Sequence, residues 1–126
     1  MTNKAIISIG SNYERTQNIQ AAIQRLQADY PDTRFSTPEI TDPIDLPEGA
    51  KPFLNLVAVI KTEYSQEMFI QYLKMVEEEM GREEQDEEEG IVVIDIDLIE
   101  WNDEVIKPHD LVRPYVVAGL EELDEF

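Results

Sequence analysis

Two aspartates stand two positions apart in an otherwise apolar, β-branched stretch of the sequence, GIVVIDIDLIEWNDEV at residues 90–105. Alternate side chains of a strand point to the same face, so Asp95 and Asp97 share one face, roughly 7 Å apart along the chain. Burying two like carboxylates without compensation is costly, so they are either exposed to water or share a cation. Oxygen ligands at this spacing suit Mg²⁺, which takes one or two carboxylates together with water and phosphate oxygens. The alternative is a strand whose outer face is simply hydrated.

The first half of the chain supplies three elements that could support such a strand. Residues 4–10, KAIISIG, predict a short buried strand that ends in a turn. Residues 16–30 carry apolar side chains three and four apart and predict an amphipathic helix. Residues 33–40 predict a second strand, which Pro38 restricts to an edge or a break, and a proline-rich loop follows.

The second half of the chain begins with the strongest strand signal, PFLNLVAVIKTEY at 52–64, which is rich in β-branched and aromatic residues. Ser65 is placed to cap a second helix, and Gly81 is placed to end it. The remaining predicted elements are an acidic loop within 77–89, a strand at 91–101, a short returning strand at 104–106 and a C-terminal helix at 115–126.

The order of these elements is β-α-β-β-α-β, followed by a short hairpin and a helix. Helices that connect strands in this order predict an α+β fold, in which an antiparallel sheet is covered by helices in the split β-α-β arrangement. The chain has 126 residues, of which 42% are hydrophobic, enough for a core. We therefore predict one domain over residues 1–126.

The composition excludes several classes of function. Ten basic and 28 acidic residues give a formal charge of −18, which repels nucleic acid and anionic lipid. The aliphatic runs are too short to cross a bilayer and no secretory leader is evident, so we expect a soluble, cytoplasmic protein. The absence of cysteine excludes disulfides, thiolate catalysis and cysteine-based zinc sites. The acidic surface permits a basic protein partner, and the composition leaves the oligomeric state undetermined.

Four segments of the sequence resemble, in order, the signatures of one enzyme family. They are ISIGSN at 7–12, FLNLVAVI at 53–60, EEEMGR at 77–82 and IDIDLIEWNDEVI at 94–106. Their combination and spacing over residues 4–123 are similar to those of 6-hydroxymethyl-7,8-dihydropterin pyrophosphokinase, an enzyme of folate biosynthesis. The resemblance implies a ferredoxin-like fold and transfer of pyrophosphate from Mg-ATP to the pterin hydroxymethyl group.

The resemblance also implies roles for individual residues. Asp95 and Asp97 would hold two magnesium ions that bridge ATP. Phe53 and Asn55 would bind the pterin, because an aromatic side chain can stack on a flat ring and an amide can both donate to and accept from its edge. The remaining implied residues are Thr41 and Pro43 in the pterin-lining loop and Glu77 near the nucleotide.

The sequence departs from the family before the D-x-D strand, where the family carries a basic loop of the form R-x-R-x-x-x-R-W-G-P-R. Arg82 and Gly90 match this pattern. The other positions are occupied here by Glu84, Glu88, Glu89, Ile91 and Val92. Phosphoryl transfer depends on positioning and charge neutralisation, and each lost donor lowers the rate by a factor on the order of a hundred. We therefore predict reduced activity, with Arg82, Asp95 and Asp97 as the catalytic residues.

A second departure lies near the C-terminus, where Pro114-Tyr115 stands at the Pro-His position of the family. The reference pKa of tyrosine is about 10, so Tyr115 does not replace a histidine near neutral pH, although it can hydrogen-bond a phosphate. Arg113 can compensate in part. The predicted nucleotide-binding residues are Glu77, Arg82, Arg113 and Tyr115. We interpret the chain's single histidine, His109, as a surface residue.

Three functions remain open at this stage. The first is an ATP-dependent pterin pyrophosphokinase. The second is a non-catalytic relative that keeps the pterin pocket and acts as a binding or regulatory module. The third is an interaction domain whose acidic face binds a basic partner. The acidic run 77–89 is either a solvated mobile segment or the counterpart of the family's phosphate loop.

Overall fold

An antiparallel sheet forms the centre of the protein in a computed structural model that describes residues 1–125. Within these residues the sheet has six strands, and their order is β2-β4-β1-β5-β6, with β3 also paired to β4. The strands are β1 (Asn3–Ser11), β2 (Arg34–Phe35), β3 (Glu39–Thr41), β4 (Phe53–Thr62), β5 (Asp95–Trp101) and β6 (Glu104–Val105).

Helices connect and cover the strands. They are α1 (Arg15–Asp29), α2 (Gln66–Glu79), α3 (Glu84–Glu88), α4 (Pro108–Leu111) and α5 (Pro114–Glu122). Ser65 caps α2 as predicted, because its side chain accepts a hydrogen bond from the backbone N–H of Met68 at 3.2 Å. Gly81 follows the helix with a φ of 95°, a left-handed conformation that favours glycine. Among the described helices, none is long and apolar enough to span a membrane.

The two faces of the sheet are covered differently. On one face, α1 and α2 pack against alternate residues of β1 and β4, including Ile7, Ile9 and Ala58, to form the main core. On the other face, α5 packs through Val116 and Leu120 against a smaller cluster. Because α5 has only nine residues, it covers one end of this face and leaves the other end open.

The topology confirms the predicted α+β class with its ferredoxin-like order. β1 and β4 lie side by side in the middle of the sheet, and β5 pairs antiparallel with the other side of β1. α1 connects β1 to β2, and β4 lies between these two strands in the sheet, which is the split β-α-β arrangement. The returning strand predicted after the D-x-D segment is confirmed as β6.

Three predicted elements were wrong in extent. The strand predicted at 33–40 is two short strands, because Pro38 lies between them and cannot donate to the ladder. The acidic loop contains a helix, α3, whose first turn carries Glu84, Asp86 and Glu87, where acids are favourable beside the helix dipole. The C-terminal helix ends at Glu122, and Phe126 lies outside the described residues.

The strand predicted at 91–101 begins only at Asp95, because Asn12 holds the preceding segment. The Asn12 amide donates to the Gly90 carbonyl at 2.8 Å and accepts from the Val92 N–H at 2.7 Å. The Asn12 backbone N–H donates to the Val92 carbonyl at 3.0 Å. The side chain of a buried asparagine thus replaces ladder pairing, which gives Asn12 a structural role beyond a turn.

Candidate functional site

The register of the three central strands brings polar side chains together at the open end of the sheet. Gly10 of β1 pairs with Asn55 of β4 on one side and with Asp95 of β5 on the other. Ser8 of β1 pairs with Asp97. Directly paired residues point to the same face, so these side chains form two adjacent rows on the face that α5 leaves open.

Gly10 allows the close approach of its neighbours. A Cβ atom at this position would lie 2.2 Å from the Asn55 side-chain oxygen, which no folded protein tolerates without movement. A glycine inside a strand indicates such an approach, so the sequence contained a signal for this position. The Asn55 side chain can occupy its place over β1 because Gly10 has no side chain.

Two cavities meet at the pair of aspartates. The edge cavity, about 650 Å³, lies beside β5 and is lined by Lys74, Glu77, Arg82, Lys107 and both aspartates, among others. The face cavity, about 430 Å³, lies on the sheet and is lined by Thr41, Phe53, Asn55, Tyr115 and both aspartates, among others. Asp95 and Asp97 therefore separate two spaces, each large enough for a small molecule.

The face cavity brings together three of the four residues predicted to bind pterin. The Asn55 side-chain amide hydrogen-bonds the Thr41 hydroxyl, and Phe53 lies on the same wall. Pro43 is half-buried and is not among the lining residues in the described part of the chain, although its neighbours Asp42 and Ile44 are. The pterin assignments of these residues stay predictions.

Arg113 and Tyr115 lie in the face cavity, whereas Glu77 and Arg82 lie in the edge cavity. Their predicted nucleotide contact stays a prediction. The Arg113 guanidinium donates to Asp110 at 2.8 Å. Burial raises the pKa of Tyr115, and the Ser8 hydroxyl offsets this only in part. Tyr115 is therefore a neutral hydrogen-bonding group at physiological pH.

A buried glutamate organises the edge cavity. Glu77 of α2 accepts a hydrogen bond from the Ile96 N–H of β5 at 2.7 Å and from the Arg82 guanidinium at 3.0 Å. Burial raises the pKa of Glu77, while these two donors oppose the change. The Arg82 guanidinium also donates to the Asp95 carboxylate at 2.7 Å. Glu77 thus fixes both the edge of β5 and the arginine. Glu77, the first residue of the acidic run 77–89, is therefore buried and not solvated.

The two aspartates point to one face, as the strand period predicts, and each contacts a cation. Asp95 pairs with Arg82, and Asp97 accepts from the Lys107 ammonium group at 3.0 Å. The pKa of Asp95 is nevertheless raised to about 6, first by burial and then by repulsion from Asp97. Burial is the largest single influence on the pKa of Lys107 and lowers it, but the hydrogen bond to Asp97 and the negative charges of Asp97, Asp110 and Asp95 together raise it above its usual value, so Lys107 stays protonated.

This environment fits magnesium. The available ligands are the carboxylate groups of Asp95 and Asp97, which line the same two cavities. A divalent ion would relieve the repulsion between these two carboxylates. The pairing with Arg82 and Lys107 does not block access, because both aspartates still line both cavities. Residues 1–125 contain no group of three or more His, Asp or Glu side chains that could hold a metal. That two ions bind stays a prediction.

The sequence prediction missed Lys107 and Lys74, which line the edge cavity. Lys107 follows the hairpin of β5 and β6, whose antiparallel return could have indicated that it lies beside Asp97. Lys74 stands three residues before Glu77, so both lie on one face of α2. His109 is exposed and lines neither cavity, which confirms its surface interpretation. Trp101 is a core residue that packs on Phe69.

Two comparisons show which known proteins this chain is similar to. The model of the 7,8-dihydro-6-hydroxymethylpterin-pyrophosphokinase family matches residues 6–125. The chain is also 32% identical over 131 residues to the folate synthesis bifunctional protein of Arabidopsis thaliana. That alignment covers 95% of this chain and 27% of the relative, so the chain spans about a quarter of the relative's length.

Proposed function

The chain belongs to the 7,8-dihydro-6-hydroxymethylpterin-pyrophosphokinase family, and we propose that it transfers pyrophosphate from ATP to the hydroxymethyl group of 6-hydroxymethyl-7,8-dihydropterin. The observation that carries this proposal is the meeting of two cavities at Asp95 and Asp97. A transfer between two substrates needs two binding spaces that open onto one another, and it needs charged groups at their junction.

The pterin occupies the face cavity in this proposal. Phe53 offers an aromatic surface for the flat ring, and the hydrogen-bonded pair of Thr41 and Asn55 presents polar atoms to its edge. Ile44 lines the same cavity with 56% of its surface exposed, so a bound ring would cover an apolar side chain that now faces solvent. This combination of aromatic, apolar and amide groups suits a heteroaromatic substrate.

The nucleotide occupies the edge cavity, with its phosphates directed towards the aspartates. Arg82 lies within hydrogen-bonding distance of Asp95, and Glu77 holds the guanidinium in that position. Bound magnesium would neutralise and orient phosphate oxygens beside Asp95 and Asp97. The residues that line the face cavity would then hold the pterin so that its hydroxymethyl group faces the phosphate.

The charge of the edge cavity supports a slow enzyme. Three of its lining side chains are cationic, Lys74, Arg82 and Lys107. Five are acidic, and they are Glu77, Glu78, Glu84, Asp95 and Asp97. A polyphosphate entering this cavity meets an excess of negative charge that bound metal would have to offset. In the face cavity, the predicted pterin-binding residues Thr41, Phe53 and Asn55 are uncharged and lie together, which favours a pterin-binding relative without transfer activity as the second candidate.

Binding and turnover distinguish the two candidates. The protein would be titrated with a pterin analogue and, separately, with a non-hydrolysable ATP analogue plus magnesium, and AMP formation would be assayed with both natural substrates. We expect pterin-dependent AMP release that Asp97→Ala abolishes. The matched control is Asp32→Ala, because Asp32 is an exposed aspartate that lines neither cavity.

Each other result selects a different function. Binding of the pterin analogue without nucleotide binding would overturn the transferase and support the non-catalytic relative. If neither ligand binds, the interaction domain with a basic partner is the remaining explanation. AMP release that survives Asp97→Ala would show that the transfer does not use the junction of the two cavities.

A further inference from the structure

The edge cavity has few cations that could contact a polyphosphate. Arg82 is already engaged by Glu77, by Asp95 and by the Ile94 carbonyl at 3.3 Å. Lys107 is placed differently, because its ammonium group donates to Asp97 and 44% of its side chain is exposed. A half-exposed lysine can change partners without disturbing a buried network.

The backbone of Lys107 is fixed, although its side chain is not enclosed. The N–H groups of Ile106 and Lys107 both donate to the Ile99 carbonyl, at 2.8 and 3.1 Å. Pro108 then begins α4 and restricts the backbone on the C-terminal side of Lys107. The hairpin therefore holds the root of the lysine beside Asp97, and the flexible stem can swing between the carboxylate and the cavity.

We propose that Lys107 is a phosphate-binding residue of this chain. When a divalent ion binds the Asp97 carboxylate, the Lys107 ammonium group leaves that carboxylate and contacts a phosphate of the nucleotide. This inference rests on the proposed function. The ion and the ammonium group would compete for the Asp97 carboxylate, one oxygen of which accepts the hydrogen bond from Lys107. The displaced ammonium group stays at the wall of the edge cavity, where an anionic phosphate is its natural new partner.

The proposal predicts that removing Lys107 changes two affinities in opposite directions. Removing Lys107 takes away a phosphate contact, so the affinity for nucleotide should fall. The same change removes the competitor at Asp97, so the affinity for a divalent ion in the absence of nucleotide should rise. A residue that only supported the local fold would weaken both affinities together, which makes the pair of measurements diagnostic.

The experiment compares Lys107→Ala, Lys107→Arg and the matched control Lys61→Ala, whose lysine is exposed on β4 and lines neither cavity. Calorimetry would measure Mn²⁺ binding to the free protein, and separately the binding of a non-hydrolysable ATP analogue at saturating Mg²⁺. For Lys107→Ala we expect about tenfold weaker nucleotide binding. We also expect tighter Mn²⁺ binding than in the wild type. Lys107→Arg should keep most of the nucleotide affinity, and Lys61→Ala should match the wild type in both assays.

The outcomes separate this inference from the proposed function. If the wild type binds the nucleotide analogue and Lys107→Ala binds it equally well, the inference is overturned and the proposed function stands. If Lys107→Ala weakens Mn²⁺ binding as well, the residue is structural and the inference is again overturned. If the wild type binds no nucleotide analogue, the proposed function fails and the inference fails with it. Thermal unfolding of each variant identifies any that are misfolded, and Lys107→Gln then replaces Lys107→Ala.

Discussion

Two clusters of charged side chains join helices to their neighbours, and they differ in how well their acids are compensated. The interhelix cluster consists of Arg25 and Asp29 of α1 with Tyr72 and Glu79 of α2. Asp29 accepts from the Tyr72 hydroxyl at 2.6 Å and from Arg25 at 2.9 Å, and Arg25 also contacts Glu79. These donors hold the pKa of Asp29 below its usual value, with the Tyr72 hydroxyl as the largest cause.

The site cluster consists of Glu77, Arg82, Asp95, Asp97 and Lys107, and its acids are less well compensated. The pKa values of Glu77 and Asp95 are both raised, because burial and a neighbouring carboxylate outweigh the available cations. The interhelix cluster stabilises the folded state, whereas the site cluster contains repulsion that a bound ion and substrate could relieve. Perturbed acids in a cleft are typical of functional sites, and they cost stability.

The largest expected effect comes from the site cluster. Asp97→Asn should lower the rate of AMP formation by at least about a hundredfold, because the amide is a poor metal ligand. It should leave the free energy of unfolding unchanged or raised, since it removes repulsion from Asp95. Enzyme assays and urea unfolding would measure the two effects. A clear loss of stability would show that the site cluster holds the fold together, and the contrast would fail.

The second expected effect concerns the backbone beneath the site. Asn12→Ala should destabilise the protein by about 2–3 kcal/mol, because it leaves the buried Val92 N–H without its acceptor. Asn12→Asp is the matched variant, since it keeps an acceptor for Val92 and loses the donor to Gly90. Urea unfolding should rank the alanine variant lowest. Equal stability of Asn12→Ala and the wild type would mean that the segment is held by other contacts.

The third expected effect tests the interhelix cluster. Asp29→Asn should cost about 1 kcal/mol at pH 7, because two donors lose a charged acceptor that is partly exposed. An acid whose pKa is lowered on folding stabilises the fold above its unfolded pKa, near 3.8, and this contribution is lost as the pH falls. The difference between variant and wild type should therefore shrink at pH 3.

Asp32→Asn is the control for this measurement, because Asp32 is exposed and lies just beyond α1. It should change stability little at either pH. A difference between Asp29→Asn and the wild type that is as large at pH 3 as at pH 7 would show that the charge of Asp29 is not what stabilises the helix pair.

The smallest expected effect comes from Tyr72→Phe. This change keeps the ring that packs edge-on against Tyr30 and beside Phe69, and removes only the hydroxyl that donates to Asp29. We expect a loss of about 0.5–1 kcal/mol in the free energy of unfolding. Thermal unfolding would measure it. A variant as stable as the wild type would mean that Arg25 alone compensates Asp29.

Much of the fold could be predicted from local patterns. The helices α1 and α2, the cap at Ser65 and the stop at Gly81 follow from periodicity and from the chemistry of single residues. The start of β5 could not be predicted in this way, because Asn12, some 80 positions away, holds residues 90–92 out of the ladder. The pattern of apolar residues carries no record of a hydrogen bond from so distant a side chain.

The site was predictable only in part, for a similar reason. The spacing of Asp95 and Asp97 placed them on one face, and the resemblance to a family pointed to Phe53 and Asn55. The partition of the predicted residues between two cavities was not visible, since it depends on where α5 begins relative to the sheet. Tyr115 lies in the face cavity because α5 starts at Pro114 and directs its first turn towards Ser8.

The sequence by itself determined the order of the elements, the shared face of the two aspartates and the excess of acid in residues 77–89. These depend on strand and helix periods and on counts of charge, which are local properties. Tertiary structure decided which cations reach the aspartates, because Arg82 and Lys107 arrive from a helix end and a hairpin on opposite sides of Asp95 and Asp97 in the sequence. Their approach depends on packing and register, and these exist only in the folded chain.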